Sequence, residues 1–579
     1  MLLTVFILVS IQPVSFINGQ SATRSVTCFD SEWRFSQSDP QDASQVGFDD
    51  RTWRRLDLPH DWSIEGTVSQ DAPTGGSGGY LPAGIGWYRK HFTVKKGDLK
   101  MNQLILFDGV YMNSDAWING KHLGNYPFGY NSFSYNLNDH LKKGENIIAV
   151  RVDNSKQSAS RWYSGSGIYR HVWLIKTNPL HVAQWGIYIT TPEINEDSAT
   201  VCVNIKLENA SSSTQKASLV SYIIDDEELN SGEAESSVQI LQGQEQTIRQ
   251  TINVTSPELW SVEAPVLYSL VTKILIKGMP VDEVTTPFGI RSIRYDVDKG
   301  FFLNGKNLKM VGTESVSNGG LRGDYNFGRD TARFNPNYNT RMIRAEQLWK
   351  FVAVNPYVIG DFMWTGIDYL GEARWPSKHA SSGVIDICGL PKDGYYFYQS
   401  QWTEKPMLYI FPHWNREGRE GRIIPVLAYT NCEAVELFVN GKSYGEKRLE
   451  FPRQGNSGSW MRYDLPLKFA TTADLHLSWD VPYESGTVKA VGKKNGQIVC
   501  TEIIETTGKP AAIRLTSDVD SIKADNQDVA HVKIEVVDEK GRVVSVADNL
   551  IQYKIPGKTI LTASSDGMED VSVVITVLK

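Results

Sequence analysis

The residues of this chain best suited by type to acid–base or nucleophilic chemistry are carboxylates set among aromatic rings. Glu314 lies in Gly312-Thr313-Glu314-Ser315, Asp368 and Glu372 follow Trp364 in WTGIDYLGE, and Asp61 lies in PHDW beside His60. A carboxyl group can attack as a nucleophile or move a proton, depending on how its surroundings set its pKa. The ring of Trp364 and the guanidinium of Arg161, in SRWYSGSG, could hold an apolar face and the hydroxyls of one ligand. Residue types alone do not make these a site. A glutamate between Thr and Ser reads as a solvated loop carboxylate, Trp364 as a core tryptophan, Asp61 and Arg161 as surface ion-pair partners, and His60 as a satisfied loop histidine. The 16 Trp and 25 Tyr are unusual for 579 residues, and exposed aromatic faces suit sugars.

Other chemistries are excluded. The five cysteines (Cys28, Cys202, Cys388, Cys432, Cys500) are scattered and odd in number, and none has CxxC spacing. They read as small buried thiols, not as a disulfide framework or zinc site. No His/Asp/Glu cluster has ligand spacing, so no metal and no cofactor is indicated. Lys+Arg 59 against Asp+Glu 66 gives a formal charge of −7, with no basic run for nucleic acid. Oligomeric state is not readable from the sequence. The opening residues are apolar from Leu2 to about Ile11, followed by small residues. They predict a secretory signal peptide over 1–22, hence a periplasmic or extracellular protein. No later segment approaches the ~18 apolar residues of a membrane span.

The elements that must position the candidate residues are mostly strands. Residues 24–178 alternate apolar and polar residues and turn at Asn119-Gly120, which predicts a jelly-roll β-sandwich. Residues 179–289 hold short strands at regular spacing and predict an immunoglobulin-like sandwich. Residues 290–414 carry the one clear β–α–β signal. A strand ends in LKMVG, a helical stripe runs through Met342, Ala345, Leu348, Trp349 and Val352, and a strand ends in FMWTG. After NREGREG, residues 421–503 turn at Asn440-Gly441 and Asn495-Gly496 and predict another sandwich. Residues 508–579 predict a last, shortened immunoglobulin-like domain.

Several phrases, in this order, resemble glycoside hydrolase family 2, in particular its secreted β-galactosidases: LPHDWSIEG, GIGWYRKHF, FDGVYMNSDAWINGKHLG, SRWYSGSGIYRHVWL, FGIRSIRYD, FFLNGKNLKMVG, GTESVSN, FMWTGIDYLGE and VELFVNGKSYG. The resemblance implies a multidomain, mainly β protein. Its parts are a sugar-binding jelly roll, an immunoglobulin-like sandwich, a catalytic (β/α)8 barrel and C-terminal β-sandwiches. It implies a retaining exo-glycosidase acting on a carbohydrate, most simply a terminal β-galactoside, with β-glucuronidase and β-mannosidase sharing the architecture. Such an enzyme uses two carboxyl groups about 5–5.5 Å apart, one as nucleophile and one as acid/base. Glu314 matches the nucleophile. Trp364 matches the aromatic platform at the end of the last barrel strand. Asp61 and Arg161 match loop positions that hold the non-reducing sugar, and Asp368 and Glu372 are candidates for hydroxyl contacts.

The chain departs from this pattern in length. Phe301 to Trp414 is 114 residues, whereas a barrel takes ~250 and rarely less than ~200. The end of the first barrel strand is fused to the nucleophile phrase, leaving a truncated barrel remnant. The family's acid/base is a Glu in an Asn-Glu pair. The only such pair here, Asn195-Glu196, falls in the second sandwich, and Glu346 on the predicted helix reads as solvated. A second, smaller loss is expected near 550–557. The expectation is enzymatic ancestry with little or no activity. The competing expectation is a non-catalytic carbohydrate-binding protein.

Overall fold

The structure is a computed structural model. It describes residues 24–195, 197–313, 357–450, 475–523, 528–554 and 560–578, together with Glu346, Trp349, Lys350, Val352, Ala353 and Asn355. Strands dominate because the sequence alternates and its turns are ready-made. At Asn440-Gly441, for example, both residues have positive φ (50° and 81°) and join Ala434–Val439 to Lys442–Arg448. That is the two-residue turn whose twist matches the flanking strands.

The first domain is a sandwich of a six-stranded and a four-stranded antiparallel sheet. The long strands Gly84–Val94 and Gly144–Asn154 lie at the centre of the larger one. Between the sheets lie Trp33, Tyr88, Ile105, Phe107, Ile118 and Ile148, all fully buried. The second domain packs a three-stranded sheet, led by Leu180–Ile194, on a four-stranded sheet led by Gln215–Ile224. Seven strands of 9 to 15 residues around one apolar core form the expected immunoglobulin-like sandwich, with longer strands than the sequence suggests. Asn195 sits at the turn after Leu180–Ile194, where its side-chain oxygen accepts from the N–H of Asp197 (2.9 Å) and Ser198 (2.8 Å).

Among the described residues, the middle segment holds the expected β–α–β unit. Met310–Thr313 pairs in parallel with Gly360–Met363, with Thr313 opposite Met363. Helical residues between them include Trp349 and Val352 from the predicted stripe. Met342, Ala345 and Leu348 lie outside the described residues. In a closed (β/α)8 barrel the first and last strands are neighbours, as these two strands are.

The remnant buries its apolar side against the next domain. Trp349, Val352 and Met363 pack with Phe397 and Tyr398 of the helix Asp393–Trp402 and with Phe411, Leu427 and Tyr429 of the following sandwich. Ile359 and Phe362 stay about 40% exposed. The expectation of a solvated Glu346 is corrected. It is 4% exposed, with Oε1 2.8 Å from His476 Nδ1 and Oε2 accepting from the Leu475 N–H (3.2 Å).

That following sandwich stacks a three-stranded and a four-stranded sheet, and the last domain holds short strands around Ile513, Ile534 and Ala563. Of the span 550–557, where the smaller loss is expected, residues 550–554 are described and 555–557 lie outside the described residues. The cysteines are free. Cys202 and Cys432 are buried as expected, Cys28 is exposed, and Cys388 and Cys500 are half-buried. Cys432 and Cys500 bring their sulfurs to 3.2 Å, and burial pushes the Cys500 thiol up to about 12. No helix of the described residues is long and apolar enough to cross a membrane.

Candidate functional site

Three segments remote in sequence meet at the carboxyl end of the remnant strand pair. One is the short glycine turn Gly75–Gly78 of the jelly roll, the second is the loop 160–165, and the third is the loop 364–375 that leaves the strand Gly360–Met363. Backbone bonds sew them together. The Tyr163 N–H donates to Leu370 O (2.9 Å), Glu372 N–H to Ser77 O (3.2 Å) and Ala373 N–H to Gly76 O (2.9 Å). The Trp375 N–H donates to the Tyr80 hydroxyl (2.9 Å). A Cβ on Gly76 would stand 2.2 Å from Ala373 O, so only glycine permits this approach.

The seam brings some predicted residues together. Trp364 is half-buried and meets the edge of Tyr369 at 5.8 Å between ring centres. Tyr369 donates its hydroxyl to Glu372, which is exposed and in the left-handed backbone region (φ 44°). Burial, then the Glu372 carboxylate, hold the Tyr369 phenol well above its usual range. The Arg161 guanidinium is exposed and close enough to Tyr369 to oppose that rise. Glu314, the residue after Thr313, lies outside the described residues.

The sequence matches the descriptions "Glycosyl hydrolases family 2, sugar binding domain" over 27–179 and "Glycosyl hydrolases family 2" over 181–291. It matches "Domain of unknown function (DUF4982)" over 421–500 and "Glycoside hydrolase family 2 C-terminal domain 5" over 513–573. The β-galactosidase BoGH2A of Bacteroides ovatus is 30% identical over 774 aligned positions, spanning 93% of this chain and 88% of that protein. The chain belongs to glycoside hydrolase family 2. A putative β-glucuronidase of Formosa agariphila is 28% identical over 94% of this chain and 70% of that protein. A crystal structure of a family 2 member from Bacteroides cellulosilyticus superposes with a TM-score of 0.80 at 25% identity, over 96% of this chain and 100% of that one. The alignment with BoGH2A also gives the size of the difference in length. Since 93% of 579 residues is about 538, more than 200 of its 774 positions have no counterpart here.

Within this family 2 chain, two of the predicted ligand contacts have their carboxylate oxygens engaged by other parts of the chain. Asp61 Oδ1 accepts from the N–H groups of Ser63 (2.9 Å) and Ser166 (2.8 Å), and Oδ2 from the Tyr163 hydroxyl (2.5 Å). It shapes the loop that carries Arg161. Burial raises its pKa, and these hydrogen bonds only partly offset the rise. Asp368 is buried, accepts from Lys392 Nζ with both oxygens (2.8 and 2.7 Å) and from Gly383 N–H (2.7 Å), and holds the loop from below. We expect Asp368→Ala to cost about 1–3 kcal/mol locally, because the Gly383 N–H loses its acceptor. Amide exchange at Gly383 should speed up, and less so in Asp368→Asn; an unchanged rate would contradict this role. His60 is buried with Nδ1 2.7 Å from the Tyr88 hydroxyl.

Residue-type reasoning missed Gly76, Ser77, Tyr163 and Tyr369. The one available signal was the run Gly75-Gly76-Ser77-Gly78-Gly79, since clustered glycines mark close backbone approach.

Proposed function

We propose that this chain descends from a retaining exo-β-galactosidase, with Glu314 in the nucleophile position, and that the 579-residue polypeptide turns over little or no substrate. The observation that carries this reading is the 46-residue stretch (314–359) between the two paired barrel strands. Six further strands with their helices need ~150 residues or more. The galactoside assignment is supported by the phrase WTGIDYLGE and by the similarity to the B. ovatus β-galactosidase.

Glu314 would attack the anomeric carbon while a second carboxyl group protonates the leaving oxygen. No Asn-Glu pair lies in the barrel segment. Glu346 is taken up by His476 and Leu475. Loss of the acid/base alone costs ~10²–10⁴-fold in rate, and loss of positioning costs more. Trp364, Tyr369 and Arg161 would still offer an apolar face and hydrogen-bond donors to a terminal sugar.

The test is release of nitrophenol from aryl β-galactoside, β-glucuronide and β-mannoside by the purified chain. No release above buffer is expected. Turnover that disappears in Glu314→Gln would refute the inactive reading, and a preference for the glucuronide would move the specificity to that of the F. agariphila relative's name. Sequencing the transcript across Gly312/Thr313 shows whether the junction exists in the organism. We also propose export, on the apolar run from Leu2; N-terminal sequencing of protein outside the cytoplasm checks it.

A further inference from the structure

A cleft of about 520 Å³ opens in the jelly roll beside the loop that carries Arg161. Its walls come from turns far apart in sequence, chiefly Tyr111, Phe128, Tyr130, Ser160, Arg161 and Trp162. That volume falls within the ~300–1,000 Å³ typical of small-molecule sites. Three large rings in it face solvent, with Phe128 51%, Tyr130 42% and Trp162 36% exposed. Single exposed rings are ordinary, but a contiguous exposed aromatic patch marks a binding surface.

The rings form a corner. Tyr111 and Tyr130 meet at 64° with centres 5.3 Å apart, and Phe128 and Tyr130 at 66° and 5.6 Å. The corner is pre-set. The Trp162 indole N–H donates to the Tyr130 hydroxyl (2.9 Å), tying the 160s loop to the 127–130 turn. Gly129 lies flat on Tyr111, where a Cβ would stand 2.2 Å from the ring. The Tyr169 hydroxyl donates to Gly129 O (2.9 Å). A platform held this way loses little conformational entropy on binding.

Polar groups line the same walls. Arg161 makes no hydrogen bond or ion pair within the described residues, so its five N–H donors can meet ligand hydroxyls. Rings at an angle, with a free guanidinium at the rim, complement a pyranose, whose C–H faces are apolar and whose edge is hydroxylated. The 160s loop that walls the cleft also forms the seam with Leu370 and Gly371, in the loop that begins at Trp364.

We propose that this cleft is a subsite for a second or third hexopyranose of a β-linked oligosaccharide, and that the chain holds such glycans through it without cleaving them. The oligosaccharide class rests on the galactosidase reading above; the cleft's role as a sugar subsite does not. Isothermal titration of the full chain with β-1,4-galactotetraose and with D-galactose tests it, using Phe128→Ala, a substitution at an exposed ring that leaves the core intact. The tetraose should bind more tightly than galactose, and Phe128→Ala should weaken the tetraose about ten-fold while leaving galactose unchanged. Tetraose binding that Phe128→Ala weakens, with no measurable galactose binding, would keep the cleft and sink the terminal-galactose reading. Equal tetraose affinity in Phe128→Ala and the parent chain, or no tetraose binding at all, would overturn the proposal.

Discussion

Replacing Gly371 with alanine will part the jelly roll from the loop that follows the last barrel strand. Gly371 has φ 89°, a region that costs a non-glycine residue ~1–2 kcal/mol. The larger effect is contact. An added Cβ would stand 2.2 Å from Ser77 O, 2.5 Å from the Tyr163 nitrogen and 2.8 Å from the Trp162 carbonyl carbon. All are backbone atoms, so no side chain can swing aside. Relief requires breaking the Tyr163–Leu370 and Glu372–Ser77 hydrogen bonds, a local loss of about 3 kcal/mol or more.

The sandwiches have separate cores and should stay folded. Hydrogen exchange should accelerate in 74–80, 160–165 and 366–375, and glycan binding should weaken because the loop that carries Arg161 and Trp162 is no longer held against Leu370 and Gly371. Gly441→Ala is the control. It has a similar φ (81°) but nothing within 4 Å of an added Cβ, so it pays the backbone strain alone and leaves the seam intact. Unchanged exchange at the seam in Gly371→Ala would refute the argument.

The difference between those two glycines is also the difference between what could and could not be read from the chain. Gly441 follows Asn440 between two alternating runs, and its turn is a matter of four neighbouring residues. The sandwiches and the β–α–β unit were legible for the same reason, since alternation, helical stripe and turn chemistry are local. Gly371 acts on Ser77 and Tyr163, roughly 300 and 200 positions away, and no local pattern encodes that meeting.

Glu346 was misread for a related reason. A helical stripe orders residues around the helix, but the burial of the polar side was set by His476, 130 residues on in another domain. Asp368 was a candidate for ligand hydroxyls because Lys392 and Gly383, which take up its carboxylate, reach it only after the loop has turned. Trp364 and Glu372 stood out as candidates only through their phrase, since nothing in a lone Trp or Glu separates a site from a surface.

Removing the Asp61 carboxylate should destabilise the jelly roll by about 3–4 kcal/mol, the cost of leaving the Ser63 and Ser166 N–H groups and the Tyr163 hydroxyl without their shared acceptor. For a domain of this size that corresponds to about 10 °C in the midpoint of its thermal transition in Asp61→Ala. Asp61→Asn keeps an acceptor oxygen for the two N–H groups, and the Tyr163 hydroxyl can turn to accept from the new amide, so the loss should be about 1 kcal/mol.

The two variants also separate geometry from charge. Burial raises the Asp61 pKa in the folded state above the unfolded value of about 3.9. The folded domain then binds a proton more readily than the unfolded chain. The stability contributed by Asp61 is fully present below pH ~4 and is lost as pH rises through its folded pKa. Subtracting the Asp61→Asn profile of stability against pH from that of the parent chain should leave a slope that falls over this window and is flat above it. Parallel profiles would show that the folded pKa is not raised, the hydrogen bonds to the carboxylate fully offsetting its burial.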